Sequence, residues 1–329
     1  TFLEARINLT FDYYVRTTSD LLLAVNIPPS SGFDRPIFNE GEIENRGIEI
    51  ALNTVPIEND NFQWNLGFNL SRNRNEVLRI LSDRDFGPPL DAVFTGSVIQ
   101  EGSPLGAFFG YQTNGVYATQ EEADADLPNG TLFPKEAGEY RYVDVNGDGE
   151  LNEDDRTIIG DPNPDFIYGI TSTFKYKNFS LDVAFQGVQG NDIFWTNARL
   201  IYPGGVDARG VHQDRFDNRW TPENPNAEYP RFNINSDENI VNDRLIFDGS
   251  FLRLRNIVLA YDIPSTLLEK IKIQRLRVYA SATNLLTFTD YPGWNPDVNT
   301  TGQNSVNQGV DRNGYPLAKS FQFGINLTF

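Results

Sequence analysis

The residues best suited to chemistry lie in one run, Asp144-Val145-Asn146-Gly147-Asp148-Gly149-Glu150-Leu151-Asn152-Glu153-Asp154-Asp155. Oxygen-bearing side chains recur there at alternate positions, the spacing of a calcium loop. Asp144, Asn146 and Asp148 would supply side-chain oxygens, Glu150 a backbone carbonyl, and Gly149 the sharp turn, while Leu151 takes the position that packs inward. Asp155 stands where a bidentate Glu is usual, and its shorter side chain predicts a weaker site or a smaller ion. The same spacing suits a stack of Asx turns held by its own hydrogen bonds, with no ion. No helix pair is expected to flank the run, so a bound ion would stiffen a loop rather than drive a switch.

Other chemistry has little material. There is no cysteine, which leaves no thiolate metal site, and His212 is the single histidine, so a His-based zinc site or a Ser-His-Asp triad has little material. Carboxylates are plentiful, yet no pair is singled out by spacing for glycoside hydrolysis, and Gly-rich phosphate loops are missing. No catalytic residue is assigned and enzymatic activity is not expected. Trp195, Trp220 and Trp294, with Tyr202, Tyr229, Tyr291 and Tyr315, sit among polar neighbours in long loops. They are candidates for stacking on a substrate, and equally for packing the loops together.

The elements that carry these loops read as strands. From Ser320 to Phe329 the apolar residues Phe321, Phe323, Ile325, Leu327 and Phe329 alternate with Ser320, Gln322, Gly324, Asn326 and Thr328, the two-residue period of a strand. Comparable alternation covers about 6–17, 41–55, 62–71, 165–177, 181–185, 251–263 and 276–289, with a phase slip near Asn256-Ile257 that predicts a bulge. Weaker strands are expected at about 92–100 and 105–118, for ten in all. Connections near 18–41, 73–91, 119–164, 194–250 and 290–319 are long; those near 57–61, 101–104, 178 and 264–274 are short. Pro28-Pro29-Ser30-Ser31-Gly32 and Gly87-Pro88-Pro89 mark two of the long ones, and Ser265–Lys272 suits one helical turn. An up-and-down path puts every long connection at one end, as in outer-membrane barrels.

Composition limits the partners. The 329 residues carry 27 Lys+Arg against 45 Asp+Glu, a formal charge of −18 with no basic run, so nucleic acid is an unsuitable partner. No apolar run is long enough for a membrane helix, but barrel strands need only ~9–11 alternating residues. There is no methionine, even at position 1, which predicts a processed chain or a piece of a longer one. Alternation alone suits a soluble two-layer β-protein as well as a membrane barrel. Aromatics at strand ends (Phe11, Tyr13, Tyr14; Phe62, Trp64; Phe166, Tyr168; Tyr291, Trp294) favour the barrel, as interfacial girdles.

With these residues laid out, the chain resembles the C-terminal part of the SusC/RagA family of TonB-dependent outer-membrane transporters of Bacteroidota. The matching stretches are Thr18-Ser19-Asp20-Leu21-Leu22, Gly41-Glu42-Ile43-Glu44-Asn45-Arg46-Gly47-Ile48-Glu49, and Asp144–Asp155 with its continuation through Pro164. Tyr168-Gly169, Phe185-Gln186-Gly187-Val188-Gln189-Gly190-Asn191-Asp192, Phe251-Leu252-Arg253-Leu254-Arg255-Asn256 and Ala282-Thr283-Asn284-Leu285-Leu286-Thr287 complete them. The resemblance implies an all-β, antiparallel transmembrane barrel of about 22 strands around a plug, of which residues 1–329 would be the C-terminal wall without plug or N-terminal strands. Residues 119–164, with the calcium motif, and 194–250 would be extracellular loops. It further implies the outer membrane of a Gram-negative bacterium, import of oligosaccharides or peptides, a SusD-like lipoprotein partner, and TonB acting through the absent plug. Phe329 resembles the signal read by the barrel-assembly machinery. A non-transporting structural or adhesive barrel, and a soluble calcium-stabilised glycan-binding protein, are the alternative readings.

Overall fold

The computed structural model describes residues 6–24, 37–80, 96–126, 133, 135–198, 211–233, 240–269, 272–298, 306–312 and 314–329. In chain order the strands are β1 (Ile7–Ala24), β2 (Ile37–Glu58), β3 (Phe62–Arg79), β4 (Ser97–Val98), β5 (Ala107–Gly110), β6 (Thr113–Val116), β7 (Tyr140–Tyr142) and β8 (Thr157–Gly160). Then come β9 (Phe166–Tyr176), β10 (Phe179–Gln189), β11 (Asp192–Trp195), β12 (Ile246–Asp248), β13 (Phe251–Asp262), β14 (Arg275–Phe288), β15 (Val310–Asp311) and β16 (Ser320–Thr328). No described helix is long and apolar enough to cross a membrane.

Eight strands form one sheet in the order β1-β2-β3-β9-β10-β13-β14-β16, each antiparallel to the next. Register keeps the apolar residues on one face across the whole sheet. Phe11 lies opposite Ile50 and Ile50 opposite Leu70, then Phe68 faces Ile170, Ile170 faces Phe185, and Ala282 faces Phe321. A soluble sandwich would bury that face under a second layer. Here Phe11, Phe321 and Phe323 are 60%, 64% and 85% exposed, and no side chain of β9, in mid-sheet, is buried on either side. The sheet is therefore an uncovered wall, which excludes the two-layer reading.

The opposite face is polar and hydrogen-bonded within itself. The Tyr14 hydroxyl donates to Asn73 (2.9 Å), and Asn73 and Asn75 both donate to Asn45 Oδ1 (3.0 and 3.1 Å). Thr173 donates to Asp182 (2.7 Å), Arg255 to Gln186 (2.8 Å) and Arg277 to Ser180 (3.0 Å). The expected phase slip is a bulge one residue earlier, at Arg255: Leu254 pairs with Phe185 while Asn256 pairs with Ala184. It lets Leu252 and Leu254 share the apolar face with Ile257 and Leu259.

Two of the ten expected strands are not in the sheet. Within 92–100 and 105–118, β4 pairs with β5, and β5 with β8, in a separate small sheet, while β6 pairs with β7; residues 92–95 lie outside the described residues. These strands are far shorter than the ~9–11 residues that span a bilayer. Their residues Ser97, Val98, Ala107 and Phe108 are buried rather than alternating, and positive φ at Gly102 and Gly106 (both 77°) turns the chain between them. The turn at 101–104 is likewise not on the short-turn end. Ser103 O accepts from Val77 N (3.0 Å) and Gly102 N donates to Val77 O (2.8 Å), near the far end of β3.

With that correction the two ends differ more sharply. Short connections at 59–61, 177–178 and 263–274 lie at one end. The connections β1–β2, β3–β9, β10–β13 and β14–β16 all lie at the other. At 59–61, Asn59 Oδ1 accepts from the backbone N–H of Asn61 and Phe62 (3.0 and 2.9 Å), and Ser265–Leu268 is the expected helical turn. The stretches at 25–36, which include Pro28–Gly32, and at 81–91, which include Gly87-Pro88-Pro89, lie outside the described residues.

Candidate functional site: the loop cap above the polar wall

Among the described residues the largest buried apolar cluster is in the loops. Phe108 from the β3–β9 connection packs with Ile193, Phe194, Trp195, Ala198 and Leu245 from β10–β13, and with Tyr291 and Val310 from β14–β16. Three connections distant in sequence thus share one core, and β11 joins them by pairing with β12 on one side and β15 on the other. Thr113 adds a polar tie, its N–H and hydroxyl donating to the two carboxylate oxygens of Asp243 (3.1 and 2.7 Å). The Tyr291 hydroxyl donates to buried Asp311 (2.6 Å). Burial and that carboxylate hold the phenol well above its ordinary pKa.

Residues 144–155 form a compact loop after β7. Asp144 Oδ1 accepts from Gly147 N (2.6 Å) and Oδ2 from Gly149 N (2.9 Å); Asn146 Oδ1 accepts from Asp148 N (2.9 Å), and Asp148 Oδ1 from Glu150 N (2.8 Å). Asp155 is fully buried and accepts from Val145 N (2.9 Å) and Asn152 N (2.8 Å). Leu151 points inward, as its position predicts, against Tyr111, Phe133 and Tyr142. Among the described residues no three acidic or imidazole groups converge at metal-holding distance. The arrangement in place is the self-bonded Asx stack, with the Asp155 carboxylate turned to the backbone.

The three tryptophans differ. Trp195 is 6% exposed, edge-on to Phe247 and Tyr291 within the loop core (5.5 and 6.0 Å between centroids), so it packs loops rather than facing solvent. Trp220 is half-buried; its indole N–H donates to Ala118 O (3.1 Å), and its ring lies against Gly138. Trp294 is 75% exposed. Tyr315 is exposed too, Tyr202 lies outside the described residues, and His212 is exposed just before the short helix Gln213–Asp217.

Sequence reasoning gave no role to Arg253, which positions the Trp294 loop. This side chain is 1% exposed and donates to Thr287 (3.1 Å), Asp297 (2.9 Å) and Asn295 (2.7 Å). A buried guanidinium with three oxygen partners fixes residues 295–297 to the top of β13 and β14. The signal was an arginine at an inward position inside an apolar run.

An up-and-down sheet, apolar outside and polar inside, with every long connection at one end, is the wall of a transmembrane β-barrel. The chain is 35% identical over 344 residues to the TonB-dependent receptor P3 of Formosa agariphila, and 34% identical over 335 residues to receptor P26 of the same organism. It is 29% identical over 336 residues to the TonB-dependent receptor SusC of Bacteroides thetaiotaomicron. These alignments take in 99–100% of this chain but 31–33% of each relative, so the chain spans about a third of their length. The solved RagAB peptide transporter superposes with a TM-score of 0.79 at 26% identity, over 98% of this chain and 33% of that one. No family model matches. The barrel wall is homologous, over its whole length, to SusC-like TonB-dependent receptors.

Proposed function

We propose that the chain is the C-terminal wall and loop cap of an outer-membrane active importer of oligosaccharides or peptides. The observation that carries this reading is the uncovered sheet, apolar outward and polar inward, joined to a loop cap with its own core. Homology to SusC and likeness to a peptide transporter support nutrient import. The sheet edges β1 and β16 pair only with β2 and β14 among the described strands, which suits closure by further strands of a longer polypeptide, around a plug that answers to TonB. Trp294, exposed on a pinned loop, is the best placed of the three tryptophans to meet substrate, with a SusD-like lipoprotein closing over the same face. Deletion of the gene for the full receptor should abolish growth on a particular oligosaccharide or peptide source, and a protonophore should block its uptake. Unchanged growth on a panel of both classes would contradict import and favour the structural reading.

Two further assignments belong to this proposal. Calcium at 144–155 is supported by the ligand spacing, and each carboxylate oxygen there keeps a second lone pair. Calcium removal should then increase protease cleavage within 119–164, as should Asp144→Ala with Asp148→Ala; identical cleavage with and without chelator would leave the Asx stack as the whole account. Phe329, exposed next to the last strand, is the proposed assembly signal. Its deletion should lower the amount of surface receptor while uptake per assembled molecule stays the same. Wild-type surface levels would remove that role.

A further inference from the structure

The outward face carries a feature that import does not require. Along β3 the outward positions read Phe62, Trp64, Leu66, Phe68, Leu70, then Arg72 and Arg74; β2 adds Arg46 directly opposite Arg74, and β1 adds Tyr13 opposite Ile48. From Phe62 to Arg72, at ~3.3 Å per residue and a tilt of ~40°, the strand rises roughly 25 Å, the height of a barrel's apolar band. At its lower edge the outward residues are aromatic, with Trp64 stacked on Phe174 (5.7 Å) and Phe179 beside Tyr261 (4.5 Å). At its upper edge they are three arginines. Those three, with Tyr13, Ile48 and Glu76, line a groove of about 490 Å³.

Arginines there have a simpler reading as self-contained ion pairs. Arg46 lies 3.8 Å from Glu76, and Arg74 pairs with Asp165. Yet the Arg46 and Arg74 side chains remain 57% and 44% exposed. Each guanidinium has five N–H donors, of which one carboxylate contact uses few. Arg72 has no carboxylate partner among the described residues. Three such forks therefore stand together at the headgroup level of one face in a chain of net charge −18, and planar guanidinium forks match phosphate oxygens.

We propose that this groove binds the phosphorylated headgroup of a lipid in the outer leaflet, with the Arg46, Arg72 and Arg74 guanidiniums on the phosphate and the acyl chains along the band of Phe11, Ile50 and Leu70 below. The inference rests on the outer-membrane reading of the proposed function, with the long connections on the extracellular side. Native mass spectrometry of the full receptor in detergent tests it, with bisphosphorylated lipid A as probe, and dephosphorylated lipid A and inorganic phosphate as comparisons. Arg72→Gln, which breaks no ion pair, should weaken lipid A binding several-fold, and Arg46→Gln/Arg72→Gln/Arg74→Gln by roughly tenfold or more. Arg16→Gln, on the inward face of β1, should leave it unchanged, and dephosphorylated lipid should bind no better to wild type than to the triple variant. Equal binding of lipid A to wild type and both groove variants would overturn the proposal, as would full competition by inorganic phosphate at equal concentration. Retention of phosphatidylcholine by all variants would separate failure of this site from failure of the membrane reading, since an apolar belt keeps lipid without any phosphate contact.

Discussion

Single side chains in this chain do two separable jobs. The alternating apolar residues are left uncovered to meet lipid, while a few buried polar groups hold the loops. Tyr291 illustrates the second job, because its hydroxyl reaches an Asp311 carboxylate that is 1% exposed. Its pKa is raised by burial first and by Asp311 next, so the fold favours the protonated phenol. That contribution is complete below the ordinary tyrosine value of 10.0 and is lost as pH rises beyond it. The cap should therefore become protease-sensitive above about pH 10. Tyr291→Phe should weaken the cap at neutral pH by about 1–3 kcal/mol, the cost of a buried carboxylate that keeps only part of its hydrogen bonding. A cleavage profile identical to wild type at both pH values would show that the pair is incidental. Little of this was legible beforehand: Tyr291 and Trp195 were visible as loop aromatics, but whether a loop aromatic packs or stacks on a ligand depends on contacts between loops a hundred residues apart.

At the level of strands, the alternation located the eight wall strands, because a two-residue period held over ten positions suits a strand and neither a helix nor a loop. It failed where the two-residue period is interrupted. β1 continues past Thr17 to Ala24, but register shifts between Thr18 and Leu22 and a positive φ at Asp20 break its alternation; β3 continues past Ser71 to Arg79, but there Arg72, Arg74 and Glu76 replace the apolar outward residues. It failed again at 92–118, where short buried strands of the cap imitate wall strands in composition. Register also explains certain glycines. Gly47, Gly187 and Gly324 sit directly opposite Tyr14, Tyr168 and Tyr279, and a Cβ on any of them would lie 2.1–2.5 Å from the tyrosine ring. Each ring lies over the glycine across the strand, shielding its backbone. Gly324→Val should displace Tyr279, disturb the β14–β16 pairing and reduce the folded fraction, read by loss of the heat-modifiable band on electrophoresis. Gly102→Val, in a turn with nothing within 4 Å of a Cβ but with φ of 77°, should strain only the cap. Equal folding of Gly324→Val and wild type would contradict the cross-strand account.

For the molecule as a whole, the wall and the cap are stabilised by different means. The wall relies on backbone pairing from β1 to β16 and on lipid for its outer face, since mid-sheet β9 has no buried side chain on either face among the described residues; the cap relies on a shared apolar core drawn from three connections. The chain spans about a third of the length of its relatives, and among the described strands β1 and β16 are the two edges of the sheet. The central claim is that odd-numbered residues of β16 from Phe321 onward face lipid and even-numbered ones face the interior. These 329 residues hold no cysteine, so single cysteines at Phe321, Phe323 and Ile325, and at Ser320, Gln322 and Asn326, can carry nitroxide labels in a full receptor cleared of any cysteine outside them and reconstituted in a bilayer. Collisional relaxation by oxygen, which concentrates in lipid, and by a water-soluble nickel chelate measures the environment of each label. The account predicts high oxygen and low nickel accessibility at Phe321, Phe323 and Ile325, with no such oxygen preference at Ser320, Gln322 and Asn326. Loss of that two-residue period, with the six positions alike in their access to nickel, would contradict it.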